Sequence, residues 1–145
     1  MLKSIVRVFA VVVLGVVFTA APFASKKASA TPSIQRCMGF QFQPGSHDTG
    51  PTGCVHDIQE IMNEALVLYS FYRGSTTVAG WPSLGKDGNY GAQTKEAVKR
   101  FQRANHFSAT GQDGIVGPTT WMVIYDQCVT VWPRAYGFHS SLCVG

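Results

Sequence analysis

Apolar residues fall along this chain in three ways: one almost wholly apolar run near the start, three stretches with helical periodicity, and intervening segments without a period. The apolar run, Val8 to Ala21, follows the basic residues Lys3 and Arg7 and is stopped by Pro22. At about 14 residues it is short of the roughly 20 that span a bilayer as a helix. Ala28-Ser29-Ala30 then supplies a small-x-small site, so residues 1–30 are expected to be a cleaved export signal and Thr31 the first mature residue. The alternative is an uncleaved anchor, because Lys26 and Lys27 stand between the run and the cut.

Residues 31–53 carry Pro, Gly, Ser and Gln without a period and predict an irregular arm. A helix is expected next: Val55, Ile58, Met62, Ala65, Leu66 and Tyr69 recur at three- and four-residue steps, with Asp57, Glu60 and Asn63 between them facing water. A second helix is predicted over Ala92 to Ala104, burying Ala97, Val98, Phe101 and Ala104 and lining Lys95, Lys99 and Arg103 on another face. A third begins at Pro118, whose missing N–H has no partner at a first helical position anyway. It carries Trp121, Ile124 and Tyr125 before Cys128, and residues 129–145 follow as an aromatic-rich tail.

Charge changes the picture once the leader is set aside. The whole chain has 12 Lys+Arg against 8 Asp+Glu, net +4. Lys3, Arg7, Lys26 and Lys27 all lie in the leader, which has no acidic residue, so the remainder is neutral. That gives no support to nucleic-acid binding, which needs basic charge on the folded domain. About 115 residues remain, enough for one small domain. All 4 cysteines, Cys37, Cys54, Cys128 and Cys143, follow the leader and predict two disulfides in an oxidising compartment. No C-x-x-C spacing suggests a zinc knuckle or redox pair.

The strongest signal is an internal repeat. Asp87-Gly88-Asn89-Tyr90-Gly91-Ala92-Gln93-Thr94 matches Asp113-Gly114-Ile115-Val116-Gly117-Pro118-Thr119-Thr120, and Ala97-Val98 answers Val123-Ile124. Self-similarity of this kind means one local structure used twice. Asp-Gly makes a tight turn in which Gly takes positive φ and Asp bonds nearby backbone. Tyr90 and Val116 are placed to dip into the core. Gly91 and Gly117 then cap helices whose third residues, Thr94 and Thr120, reach back toward free N–H groups.

This doubled motif, with Phe101-Gln102-Arg103-Ala104-Asn105, Gln59 and Trp121, resembles the peptidoglycan-binding domain found beside bacterial amidases, lytic enzymes and carboxypeptidases. The resemblance runs from Cys54 to Cys128 and implies an all-α, small three-helix bundle with a repeated turn-helix unit and disulfide-stapled irregular arms. On it, Asp87, Gly88, Gly91, Thr94, Asp113, Gly114, Gly117, Pro118 and Thr120 are structural motif residues. Two features depart from the family pattern. His106 stands where Gly usually follows the Asn that ends the second helix, so Asn105 or His106 must take the left-handed position. The connection over residues 70–85 is also long, and it holds Phe71, Tyr72 and Trp81.

The resemblance implies ligand in a shallow groove near the repeat loops. Tyr72, Trp81 and Tyr90 are candidate platforms for sugar faces, since amphipathic aromatics suit half-wet positions, and completion of a small core is the competing reading. Trp121 and Arg103 complete the ligand-binding candidates. The Lys95, Lys99, Arg103 stripe is more simply a solvated face, with wall carboxylates or phosphates as its functional alternative. Catalysis is not expected. No H-E-x-x-H, G-x-S-x-G or Cys-His nucleophile context occurs, and the residues outside the match are too few for a catalytic fold.

The expectation is therefore a secreted, cell-wall-associated bacterial module that binds peptidoglycan or another wall glycopolymer. The alternative is a secreted interaction or regulatory protein that binds a cell-wall enzyme. No nucleic acid, cofactor, metal or stable membrane insertion after signal removal is expected, and the protein is expected to be a monomer. The expected parts are a signal peptide over 1–30, an irregular arm over 31–53, the domain over 54–128 and a tail over 129–145. A nested disulfide pairing, Cys54–Cys128 with Cys37–Cys143, is expected because domain ends tend to lie close together. Sequential pairing is its rival.

Overall fold

The structure, a computed structural model, describes residues 33–49, 53–72 and 83–143, except for the side chains of Ser33, Phe71 and Tyr72. Residues 1–30, expected to be an export signal, Trp81 and most of the long connection lie outside the described residues. The fold is all-α. Helices run over Ser33–Cys37 (α1), Cys54–Tyr72 (α2), Ala92–Ala104 (α3), Pro118–Asp126 (α4) and Trp132–Tyr136 (α5). Among the described residues there is no β-strand, only two isolated antiparallel bridges.

The central bundle is α2, α3 and α4. Ile58, Met62 and Tyr69 from α2 meet Val98 and Phe101 from α3 and Trp121 and Ile124 from α4, all buried in one core. Tyr69 and Phe101 stack with ring centroids 6.4 Å apart. The arms also enter this core, through Ile34 on α1 and Trp132 on α5. Asp57, expected to face water, is instead buried, and the Arg36 guanidinium of α1 pairs with it at 3.4 Å.

Helix α2 takes its N-terminal cap from a residue distant in sequence. The Asp48 carboxylate accepts the N–H groups of Val55 at 3.1 Å and His56 at 2.8 Å, which otherwise have no helical partner. A Cβ at Gly53 would overlap that carboxylate, so glycine makes room for the cap. Helix α3 ends with Asn105 at φ −101° and His106 at φ 60°, so His106 takes the left-handed position. The His106 and Phe107 N–H groups close the helix onto the carbonyls of Arg103 and Gln102.

The C-terminal segment is more regular than its sequence suggests. Helix α4 continues through a π turn, Gln127–Val131, into α5. The β-branched Val129, Thr130 and Val131 and then Pro133 all argue locally against a helix. Pro133 falls in the first turn of α5, where the widened register accommodates a residue without an N–H.

The nested disulfide pairing is overturned. Cys37 bonds Cys54 and Cys128 bonds Cys143, with Cα–Cα distances of 5.6 Å and 5.9 Å. Each arm folds back on the helix nearest to it in sequence, so each cysteine finds its partner locally. The arms do meet, through the Ile34 N–H and the Leu142 carbonyl at 3.3 Å, but a backbone hydrogen bond joins them there. With sequence separations of 17 and 15, each bridge contributes roughly 3 kcal/mol by loop closure.

Candidate functional site

The two repeat loops are held by one device used twice. From α2, the Gln59 amide nitrogen donates to Asp87 Oδ1 (2.8 Å), the Asn89 carbonyl (3.1 Å) and Thr94 Oγ1 (3.2 Å). Its oxygen accepts the Gly88 N–H at 3.0 Å. From α3, Gln102 repeats every contact, to Asp113 Oδ1 (3.1 Å), the Ile115 carbonyl (3.0 Å), Thr120 Oγ1 (3.2 Å) and from the Gly114 N–H (2.9 Å). Each aspartate also accepts an N–H two residues on, Asn89 at 2.9 Å and Ile115 at 2.8 Å. The threonine hydroxyls therefore serve the loops and not free helix N–H groups. Thr120 donates to the Ile115 carbonyl at 3.0 Å. Hydrogen bonds from Gln59 and then Asn89 hold the Asp87 carboxyl below its ordinary value.

Gly88 and Gly114 sit at φ 71° and 73°, where a side chain is strained. At Gly114 space is also short, because an added Cβ would meet the Lys95 carbonyl at 2.8 Å and Lys99 Cγ at 3.0 Å. The stems of Lys95 and Lys99 thus cover the second loop. The N-terminal arm ties both loops together from outside. Phe42 pairs with Val116 and His47 with Asn89, and Gly45 and Ser46 bond the two sides of Tyr90.

Beside the second loop lies an open groove of about 600 Å³, between the end of α3 and the start of α4. Phe107 and Pro118 give it apolar faces, while Gln41, His106, Asp113 and Thr119 supply polar groups. No Lys or Arg lines it, so it suits hydroxyl and amide groups better than a concentrated negative charge. Flat apolar faces beside hydrogen-bonding groups can hold a sugar or peptide unit.

A smaller hollow of about 260 Å³ lies on the outer face of α2, between Glu60, Glu64, Val67, Lys86 and Phe138. Burial pushes the Glu64 carboxyl up, against a lowering hydrogen bond from Ser140. Its Oε2 is buried without a hydrogen-bond partner.

The sequence-derived ligand candidates are scattered by the fold. Tyr90 is buried, and its hydroxyl donates to the Gly114 carbonyl at 2.9 Å. Trp121 is buried against Phe42, and its Nε1 donates to the Phe40 carbonyl at 2.9 Å. Neither presents a face to solvent, which corrects their reading as ligand contacts: both rings complete the core where the arm crosses the loops. Arg103 is exposed but does not line the groove. The Tyr72 side chain and Trp81 lie outside the described residues. The groove's own Gln41, His106 and Phe107 were not among the candidates. His106 carried a signal as a departure from glycine, whereas Gln41 sits in a stretch without a period. Among the described residues, no group of three or more His, Cys, Asp or Glu is placed to hold a metal ion.

Residues 62–124 match the family described as "Putative peptidoglycan binding domain", a span that takes in both repeat units and every residue lining the groove except Gln41. The likeness to that family is carried by this stretch, less than half of the chain. The chain is also similar to part of the Zinc D-Ala-D-Ala carboxypeptidase of Streptomyces albus G, 45% identical over 62 residues. That alignment covers 37% of this chain and 23% of the enzyme, so the likeness is between parts of the two chains. No solved structure gave a significant match.

Proposed function

We propose that this chain is a secreted, non-catalytic, monomeric module that binds cell-wall peptidoglycan, with its ligand in the groove beside the second repeat loop. The carrying observation is that the family match over 62–124 supplies every lining residue except Gln41 of a groove of about 600 Å³ built on the loop that Gln102 holds. Its apolar faces at Phe107 and Pro118 suit the C–H faces of a sugar or peptide, and its polar rim suits amide and hydroxyl groups. Export and a wall location rest on the leader pattern of residues 1–30, and the domain is taken as 54–128.

Co-sedimentation with purified wall sacculi tests this reading. Pelleting is expected before and after teichoic acid is stripped, without release of soluble wall fragments. Thr119→Trp, which fills the groove from an exposed position, is expected to abolish it. Failure to pellet with bare sacculi, together with capture by a wall enzyme, would instead favour an interaction or regulatory protein.

A further inference from the structure

We infer that Gln41 is a specificity-determining contact of this groove, reading an amide group of the ligand. The inference rests on the wall-binding reading but adds a residue from outside the family-matched stretch, which begins at residue 62. Gln41 is exposed on the N-terminal arm and lines the groove together with Pro118 and Thr119. Its Oε1 lies near the start of α4, 3.8 Å from where a Cβ on Gly117 would stand.

The backbone around Gln41 is fixed on both sides. Before it, the Phe40 carbonyl accepts the Trp121 Nε1–H at 2.9 Å. After it, Phe42 exchanges both backbone hydrogen bonds with Val116, at 3.0 Å and 2.9 Å. The Cys37–Cys54 bridge anchors the same arm four residues upstream. A side chain carried on a backbone fixed in this way loses little freedom on binding, so its contact is well preorganised. Among the described residues no hydrogen bond occupies the Gln41 amide, although neighbouring Gln43 and Ser46 bond each other locally. The Gln41 amide offers two N–H donors and a carbonyl acceptor, so it can donate to the carbonyl of a ligand amide or accept from its N–H. In peptidoglycan this group occurs twice, as the acetamido group of an amino sugar and as the backbone amide of a stem peptide.

The test uses the ¹⁵N-labelled protein, following the Gln41 side-chain NH₂ signals by NMR. One probe is an N-acetylglucosamine tetramer, which carries acetamido groups and no peptide; the other is a stem pentapeptide without sugar. A shift of the Gln41 signals with the tetramer assigns the glycan as the source, and a shift with the pentapeptide assigns the stem. Gln41→Ala is expected to weaken the active probe about fivefold to tenfold without changing the melting temperature. Gln41→Glu, which keeps an acceptor and loses the donor, is expected to weaken it as well. Signals unmoved by both probes, or native affinity in Gln41→Ala, overturn the assignment. Thr119→Trp separates the two levels. If it abolishes sacculus binding while Gln41→Ala does not weaken it, only the Gln41 inference falls. If Thr119→Trp binds sacculi normally, the groove itself is wrong.

Discussion

The Tyr90 hydroxyl donates to the carbonyl of Gly114 across 2.9 Å, tying the first repeat loop to the second. Burial and then the negative charge of Asp113 push this phenol upward, so it stays neutral and keeps its proton to donate. Tyr90→Phe retains the ring and strands the buried Gly114 carbonyl. The expected loss is about 1–3 kcal/mol in urea unfolding, with sacculus binding unchanged because Tyr90 does not line the groove. A loss of binding larger than the loss of folded protein would return Tyr90 to the ligand site.

Gln102→Leu removes four contacts from one buried position and leaves the Gly114 N–H and the Ile115 carbonyl without this partner. Equilibrium unfolding is expected to show a cost of about 3 kcal/mol or more. Gln102→Glu keeps an acceptor for Gly114 but sets a carboxylate against Asp113. Its defect is expected to shrink as acid protonates the pair. A cost below about 0.5 kcal/mol for Gln102→Leu, the usual range of an inert surface change, would show that the loop does not depend on this residue.

The three central helices and the doubled loop were legible because each has a local signature. Helix α3 occupies the predicted residues, since Ala97, Val98 and Phe101 define its buried face unaided. The role of the glutamines was not legible. Asp87 and Asp113 stand 26 positions apart, but Gln59 and Gln102 stand 43 apart, because the long connection separates the first glutamine from its loop. A motif search at one offset therefore misses half of the repeat. The disulfides were misread for a related reason. Nothing in a segment without a period shows that α1 folds onto the start of α2, or that the tail turns back to Cys128. The groove was anticipated only as a region near the loops, since Gln41 joins it through a backbone bridge that side-chain patterns do not encode.

Glu64 gives a pH-dependent prediction with a definite sign. Its folded-state pKa is raised above the ordinary carboxylate value, chiefly by burial, so folding favours the protonated acid. Below the unfolded pKa both states are protonated and the side chain imposes no penalty. As pH rises from there through the folded pKa, the charged form is increasingly disfavoured in the folded protein and stability is lost. Glu64→Gln keeps an amide oxygen toward Ser140 and removes the ionisation. It is expected to be more stable than the native chain near about pH 7 and no more stable near about pH 3, in paired urea melts. Equal stabilities at the higher pH would contradict a penalty from the buried carboxylate.

His106 closes α3 in a conformation that costs an L-residue energy, and the position invites glycine. Its φ of 60° lies in the left-handed region, where the Cβ crowds the following carbonyl oxygen. The helix end gains two backbone hydrogen bonds in return, from the His106 N–H to the Arg103 carbonyl and from the Phe107 N–H to the Gln102 carbonyl. Glycine makes the same turn without a Cβ, offset in part by its greater freedom in the unfolded chain. His106→Gly is therefore expected to stabilise the protein by about 1 kcal/mol in chemical denaturation. His106 also lines the groove, and strained positions cluster at ligand sites, so the strain and the groove point to one role for this residue. The same variant is accordingly expected to bind sacculi more weakly while folding more stably. If it gains stability and binds as well as the native chain, the histidine has no part in recognition; if it loses stability, the strain argument fails.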